Sequence, residues 1–216
     1  MFVHFVFIGE GSSDDGIISH LESLCIDAGA TEVTGVAPDF RRLRDSVGHT
    51  VEAKLRAALA LEPEANLVFV HRDADARSGS ARYREITTAA IACRCDKPLV
   101  CVVPIRATEA WLLLDEDAIR RVAGRPHGMV RIGLPKPDAV ERVARPKEKL
   151  QQALERASEA TGRRLERIRQ DFPLHRRVLL QDLSTIGPLE QVPSWQRLRN
   201  DLRSALSIVI AGRQGG

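Results

Sequence analysis

The chain contains the run Leu67-Val68-Phe69-Val70-His71-Arg72-Asp73-Ala74-Asp75, in which a mainly apolar segment leads directly into two aspartates. A short, continuous apolar segment of this kind predicts a β-strand that is buried on both faces. A second segment of the same type opens the chain at residues 2–8 and ends in Gly9-Glu10-Gly11. Two predicted buried strands therefore end in acidic residues.

Strand and helix patterns alternate through the first half of the chain. The predicted strands are residues 2–8, 32–36, 67–71 and 99–103, and the predicted helices follow Ser12–Asp15, begin at Val51 and begin at Ala81. This alternation is typical of an α/β fold with a mostly parallel four-stranded sheet and helices on both faces. Right-handed crossovers bring the C-terminal ends of the strands to one edge, where such sheets bind ligands.

After residue 115 the pattern becomes mainly helical. We predict a long amphipathic helix over residues 146–169, an irregular segment over 171–193 and a last helix over 194–209. The apolar positions of the long helix favour packing inside the molecule, although a partner-binding stripe gives the same pattern. The expected domains are an α/β core at residues 1–115 and a mostly helical extension at residues 116–216, packed on that core.

The composition is that of a globular protein, with 44% hydrophobic and 28% charged residues among 216. The apolar start is interrupted by Glu10 too early for a membrane span, and it lacks the flanking residues of a signal peptide. We therefore expect a cytoplasmic protein with no membrane partner. Its four cysteines do not have the spacing of a zinc site, and they are expected to be free thiols in a reducing compartment.

Charge is distributed unevenly along the chain. Residues 1–100 contain 11 Lys and Arg against 15 Asp and Glu, a net charge of −4, whereas the remaining residues contain 21 against 14, a net charge of +7. An acidic half followed by an Arg-rich half suits a protein that holds a metal ion in one part and contacts phosphate with the other. Solvated helix faces give the same distribution, so charge alone does not decide between the two.

Carboxylates recur at the predicted strand ends. Glu10 follows the first strand, Asp73 and Asp75 follow the third, and Glu109 comes shortly after the fourth. Like charges at one sheet edge repel, and a bound cation usually offsets this repulsion. Mg²⁺ prefers oxygen ligands of this type. Taken singly, Glu10 and Glu109 are also consistent with turn or helix caps, and an Asp-x-Asp pair is common in loops.

Three segments resemble motifs of Toprim proteins. Residues Phe7–Asp14, Phe-Ile-Gly-Glu-Gly-Ser-Ser-Asp, resemble the Glu-Gly-x-Thr-Glu/Asp opening of Toprim domains, and His71–Asp75 resembles their Asp-x-Asp motif. Pro104–Asp115 resembles a further signature of small bacterial Toprim-like proteins related to the nuclease half of the OLD-family (overcoming lysogenization defect) ATPase-nucleases. The resemblance covers about the first 115 residues and implies a Toprim-like version of the Rossmann-like fold.

The resemblance implies a role for each matching residue. Glu10 would be a metal ligand or a general acid/base, and Asp73 and Asp75 would bind Mg²⁺ or Mn²⁺. Asp14 matches an acidic position that assists a second metal ion, and Glu109 matches a late acidic position. The implied activity is metal-dependent hydrolysis of DNA phosphodiester bonds, in phage defence or DNA processing.

The chain departs from the family pattern at two points. Ser13 stands where Thr is more usual, and no Gly-x-x-x-x-Gly-Lys-Ser/Thr loop for ATP occurs in the sequence. The resemblance therefore implies that any ATP hydrolysis belongs to a separate ATPase subunit. Arg72, Arg77 and Arg106 lie close to the acidic residues in the sequence, where they either contact DNA phosphate or balance the carboxylate charge.

Two other functions stay open on the sequence alone. A Toprim-like regulatory subunit would keep the fold and bind metal or nucleotide without cutting DNA. A receiver-like or phosphohydrolase domain would use Asp73 as a phosphoryl acceptor, with Thr108 as the matching hydroxyl residue. A topoisomerase is disfavoured, because the only tyrosine, Tyr83, starts a predicted helix and is interpreted as a packing or surface residue.

Overall fold

The two apolar runs form the central strands of a parallel sheet. The strands are β1 (Phe2–Ile8), β2 (Glu32–Val36), β3 (Leu67–His71) and β4 (Leu99–Val102). The computed structural model describes residues 1–214, and its four strands are all parallel and ordered β2-β1-β3-β4. The predicted α/β fold with a four-stranded parallel sheet is confirmed, and it is compatible with a Rossmann-like fold.

Burial explains the apolar character of β3. All five of its positions are buried, since it lies between β1 and β4. β1 pairs with β3 in a register that puts Ile8 opposite Val70, so the two strands end at nearly the same level. The rings of Phe5 and Phe69 meet edge to face across this pair, with their centroids 4.8 Å apart.

Three helices connect these strands, namely α1 (Ile18–Asp27), α2 (Val51–Leu61) and α3 (Ser80–Ala92). A 3-10 turn at Ser12–Ile17 precedes α1, where the sequence predicted the N-terminal residues of the helix. The side chain of Thr50 caps α2 by accepting a backbone hydrogen bond. α2 and α3 contact each other, so the right-handed crossover rule puts them on one face of the sheet and α1 on the other.

Contacts between residues divide the chain into two compact units. The sheet unit contains residues 1–72, residues 79–103 and the chain from Arg197 onward, and the helical unit contains residues 73–78 and 104–196. Within the sheet unit, the guanidinium of Arg197 lies 3.7 Å from the centroid of the Tyr83 ring, so the C-terminal segment contacts α3. The predicted domain border at residue 115 stays a prediction.

The helical unit is built mainly from short helices. They are α4 (Glu109–Leu112), α5 (Glu116–Val122), α6 (Pro137–Val140), α7 (Pro146–Ser158), α8 (Gly162–Gln170) and α9 (Phe172–Gln181). Its core contains Trp111 and Trp195, whose rings meet edge to face at 5.0 Å. The indole N–H of Trp111 donates to the hydroxyl of Ser194 at 3.0 Å. The last helix, α10 (Pro193–Gln214), begins in this unit and continues in the sheet unit.

The prediction of one long helix over residues 146–169 is wrong, because the chain forms α7 and α8 there. α7 ends where Glu159 adopts a left-handed conformation with a φ of 50°. The hydroxyl of Ser158 stabilises this end by accepting a hydrogen bond from the N–H of Ala160 at 3.2 Å. Gly162 is left-handed as well, with a φ of 54°, so the helical path is interrupted twice.

Helices α7 and α9 both bury an apolar face. The prediction of an irregular segment over residues 171–193 is wrong, because α9 occupies much of it. The buried apolar residues of α9 are Phe172, Leu179 and Leu180, and those of α7 include Leu150, Leu154 and Ala157. The apolar positions of α7 therefore pack inside the molecule.

None of the described helices has the length and apolarity that crossing a bilayer requires.

All four cysteines are free thiols. Burial is the main cause that raises the pKa of Cys25 and of Cys101 to about 12. Burial also raises the pKa of Cys93 and of Cys95 above the ordinary value of a thiol. Because the thiolate is the nucleophilic form, these thiols are poor nucleophiles at neutral pH.

Gly35 in β2 lies too close to its neighbours for a side chain, since a Cβ there would lie 2.3 Å from the Phe5 ring and 2.8 Å from Ile18. We expect Gly35→Ala to lower the free energy of unfolding by about 1–3 kcal/mol, because overpacking displaces buried groups. Urea denaturation measures the change. Gly48→Ala is the control, since a Cβ there would make only an ordinary contact with Ala53 at 3.5 Å. Equal stability of the two variants would contradict the close packing of β2 on β1.

Candidate functional site

The loops that follow β3 and β4 are joined by backbone hydrogen bonds. The N–H of Ala74 donates to the carbonyl of Pro104 at 3.0 Å, and the N–H of Asp75 donates to the carbonyl of Arg106 at 2.9 Å. In return, the N–H of Arg106 donates to the carbonyl of Ala76 at 3.3 Å. These hydrogen bonds therefore hold the Asp-x-Asp segment against the segment before α4, and both segments belong to the helical unit.

Each of these loops contains a residue with a left-handed backbone. Asp75 has a φ of 54° and Arg106 has a φ of 69°. Aspartate adopts this conformation relatively easily, whereas an arginine does so at a cost of about 1–2 kcal/mol. Backbone strain of this size persists only where surrounding contacts fix it, and it concentrates at functional sites. The hydrogen bonds between the two loops supply those contacts.

Thr108 fixes the carboxylate of Asp73. The N–H and the hydroxyl of Thr108 both donate to Oδ1 of Asp73, at 2.9 Å and 3.0 Å. Thr108 is itself buried, so water competes little for these two bonds. Asp75, two residues further on, is exposed. The carboxylate of Asp73 is therefore held in a defined orientation, and that of Asp75 is accessible to solvent.

Glu109 is buried beside an arginine. The Nε of Arg176 donates to Oε1 of Glu109 at 2.7 Å, and the two side chains are 12% and 6% exposed. Uncompensated charge in a protein interior is costly, so a buried carboxylate needs a partner of this kind. The ion pair is enough to account for the burial of Glu109. Its predicted role as a metal ligand stays a prediction.

Glu10 belongs to the sheet unit, where it lies two residues beyond the end of β1. Its Oε1 is 3.3 Å from Nε of Arg72, and its side chain is 36% exposed. The Nη2 of Arg72 is also 3.6 Å from Oε1 of Glu85. Arg72 is therefore balanced by two carboxylates, in agreement with the charge-balance interpretation of this arginine.

Lys54 holds the main chain around Glu10, a role that the sequence analysis missed. Its Nζ donates to the carbonyl of Gly9 at 2.9 Å and to the carbonyl of Glu10 at 2.8 Å. Burial lowers the pKa of Lys54, and the positive charge of Arg72 lowers it further. The one signal in the sequence is that Lys54 is the only lysine before residue 97 and falls on a predicted helix.

Asp14 is buried in the 3-10 turn that follows β1. Its Oδ2 accepts a hydrogen bond from the N–H of Gly11 at 3.3 Å and lies 3.5 Å from Nδ1 of His71. Its Oδ1 accepts a bond from the hydroxyl of Ser13 at 3.4 Å. These contacts give Asp14 a role in shaping the turn, and its predicted role toward a second metal ion stays a prediction.

The site residues predicted from the sequence are divided between the two units. Those in the sheet unit are Glu10, Asp14 and Arg72, and those in the helical unit are Asp73, Asp75, Arg77, Arg106 and Glu109. Within the helical unit, the structure joins the Asp-x-Asp segment to Arg106 and Thr108. Across the described residues 1–214, no group of three or more His, Cys, Asp or Glu side chains is arranged to hold a metal ion.

No family model, curated protein or solved structure matches the chain. The resemblance to Toprim proteins accordingly rests on the motifs in the sequence. The parallel sheet and its strand order are compatible with that resemblance, but many α/β families share them.

The ion pair between Glu109 and Arg176 has a measurable structural role. We expect Glu109→Gln to lower the free energy of unfolding by about 3 kcal/mol, because it removes the carboxylate that neutralises a buried guanidinium. Chemical denaturation in EDTA measures this loss without contributions from metal ions. The matched control is Glu148→Gln, which removes an exposed pair with Arg145 and should cost less than about 1 kcal/mol. An equally small loss in both variants would contradict the structural role.

Proposed function

We propose that the chain is a metal-dependent nuclease of Toprim type, which hydrolyses DNA phosphodiester bonds with Mg²⁺ or Mn²⁺. The observation that carries the proposal is the Asp-x-Asp segment. It follows a central strand of a parallel sheet, has a left-handed residue and holds one carboxylate in place through Thr108. Ligand sites of such sheets occur beyond the C-terminal ends of the strands, and this segment occupies that position in the chain.

The side chains of this segment suit a magnesium ion. Asp73 and Asp75 supply hard oxygen donors, and Mg²⁺ commonly takes only one or two protein carboxylates together with water and substrate phosphate. When bound, the ion activates water and neutralises charge on the phosphate. The chain itself contributes orientation, because Thr108 restricts the positions open to the Asp73 carboxylate.

Glu10 enters the proposal as a metal ligand or general acid/base through the motif resemblance. Glu10 belongs to the sheet unit, and its proposed role rests on the motif match alone. Arg77 and Arg106 are the proposed phosphate contacts. Arg77 is exposed, and the buried Nε of Arg106 has no hydrogen-bond partner among the residues that the structure describes. Arg72, the third predicted phosphate contact, lies beside Glu10 and Glu85, and its contact with phosphate stays a prediction.

The proposed setting is bacterial phage defence or DNA processing in the cytoplasm, with a separate ATPase subunit as partner. This part derives from the resemblance and from the missing ATP-binding loop. Attraction of DNA is supported by the net charge of +7 that follows residue 100, because Lys and Arg contacts to phosphate supply most non-specific affinity.

A second candidate function is phosphoryl transfer to Asp73. One specific observation favours it, since the hydroxyl of Thr108, which follows β4, lies 3.0 Å from Oδ1 of Asp73. A hydroxyl beside the accepting aspartate suits a receiver-like or phosphohydrolase domain. In this function the Asp73 carboxylate attacks the phosphorus of a phosphate donor, and an acyl phosphate forms as the donor's leaving group departs.

DNA cleavage tests the first candidate. We expect the wild-type protein to cut plasmid or single-stranded DNA only with Mg²⁺ or Mn²⁺, and Asp73→Asn and Glu10→Gln each to lower the rate by roughly a hundredfold or more. Asp138→Asn is the matched control, since its side chain is 77% exposed in a surface ion pair, and it should leave the rate unchanged. Circular dichroism of each variant verifies that the fold is retained.

One outcome would invalidate the assay, and two would contradict the assignment. Equal loss of cleavage in Asp138→Asn would show that the assay does not report on the site. An inactive wild-type protein whose Mn²⁺ binding is abolished by Asp73→Asn would exclude a stand-alone nuclease and point to a missing ATPase partner or to the non-cutting regulatory subunit. A hydroxylamine-sensitive phosphate on Asp73 after treatment with acetyl phosphate, without DNA cleavage, would establish the second candidate.

A further inference from the structure

The sheet unit contains a cavity that the proposed nuclease function does not use. Its volume is ≈ 550 Å³, within the range of about 300–1,000 Å³ that small-molecule sites occupy. The last two residues of β1, residues that follow β1 and β2, and one residue of α2 line it. Neither Asp73 nor Asp75 is among the lining residues.

Part of the lining is apolar and aromatic. Phe7, Ile8, Pro38 and Phe40 contribute to it, and Phe40 is only half-buried. A partly exposed aromatic ring in a concave site offers a surface on which a planar heterocycle stacks. Nucleobases stack on aromatic side chains whatever their identity, because every base has a π-face.

Lys54 gives the cavity a positive charge. Its ammonium group has three N–H donors, and two of them are taken by the carbonyls of Gly9 and Glu10. Both acceptors are neutral, so these bonds position the ammonium group without cancelling its charge. Arg41, the other basic residue of the lining, instead forms two hydrogen bonds with Asp39, at 2.7 Å and 3.0 Å. Lys54 is therefore the better partner for an anion.

The remaining lining residues favour a ligand with hydroxyl groups beside its anionic group. A Cβ at Gly11 would meet no atom within 4 Å, so a ligand has room to approach the main chain there. Ser12 is exposed and adds a hydroxyl donor. The exposed carboxylate of Asp15 also lines the cavity, where it disfavours a bare polyanion and accepts hydrogen bonds from hydroxyl groups.

We propose that this cavity binds one nucleoside monophosphate unit. The base lies against Phe40 and Pro38, the phosphate meets Lys54, and a sugar hydroxyl donates to Asp15. The aromatic wall suits the base, the positioned cation suits the phosphate, and the carboxylate acceptor suits a sugar hydroxyl. Inorganic phosphate or a purely apolar ligand would use only one of these three features of the cavity. The unit is either a free nucleotide or the 5′ end of a nucleic-acid strand, and its binding does not depend on DNA cleavage.

Isothermal titration calorimetry of the full chain with AMP and with dTMP, in EDTA, tests the proposal. We expect saturable binding, and Lys54→Met should weaken it by roughly tenfold to a hundredfold through loss of a charge-assisted hydrogen bond. Phe40→Leu should weaken it by about fivefold or more through loss of stacking. Lys147→Met, at an exposed lysine of α7, is the matched control and should bind as the wild type does. No binding to the wild type, or unchanged binding in both cavity variants, would overturn the proposal.

Two controls separate binding from folding and identify the source of the nucleotide. Phe40→Leu removes neither of the two hydrogen bonds of Lys54, and thermal unfolding of each variant shows whether the fold is preserved. Displacement of AMP by a 5′-phosphorylated oligonucleotide, but not by its 5′-hydroxyl form, identifies a strand end; displacement by neither identifies a free nucleotide. Because EDTA removes metal ions, failure of nucleotide binding and failure of DNA cleavage are independent results.

Discussion

The parallel pairing of β1 with β3 is the constraint on which the rest of the structure depends. Because β3 is buried along its whole length, its backbone N–H and carbonyl groups have to be satisfied by neighbouring strands, and β1 and β4 supply the partners. The register then determines where each strand ends and its loop begins, relative to the neighbouring strand. Glu10 lies in the loop after β1, so within the sheet unit the pairing of apolar strands sets where this acidic residue leaves the sheet.

Pairing between β3 and β4 continues past the residues that count as strand. The N–H of Arg72 donates to the carbonyl of Val102 at 3.1 Å, and the same alternation reappears two residues later, from Ala74 to Pro104. The left-handed residues Asp75 and Arg106 end this ladder. Within the helical unit, the two hydrogen bonds from Thr108 fix the orientation of the Asp73 carboxylate.

Features with a local cause were predictable from the sequence, and features that depend on distant contacts were not. The start of α2 and the bounds of β3 follow from periodicity and strand-forming residues, and the structure has both as predicted. The end of α7 is an exception, because its causes are local and it was still missed: Ser158 accepts a hydrogen bond from Ala160, two residues on, and Gly162 is left-handed. Thr108, 35 residues from Asp73, was named from the sequence as its matching hydroxyl only under the receiver-like hypothesis. Arg176, the partner of Glu109, lies 67 residues away, and no local pattern identifies it.

The path of the chain has a consequence for its synthesis and evolution. The backbone passes from one unit to the other after residues 72, 78, 103 and 196, so neither unit is a continuous segment of the gene. On the ribosome, the contact of Arg197 with Tyr83 has to wait until α10 has been translated and has left the exit tunnel. A single recombination point inside the gene cannot exchange one unit and keep the other. Exchange of one unit between related genes therefore requires several crossover points, at the borders that the chain path defines.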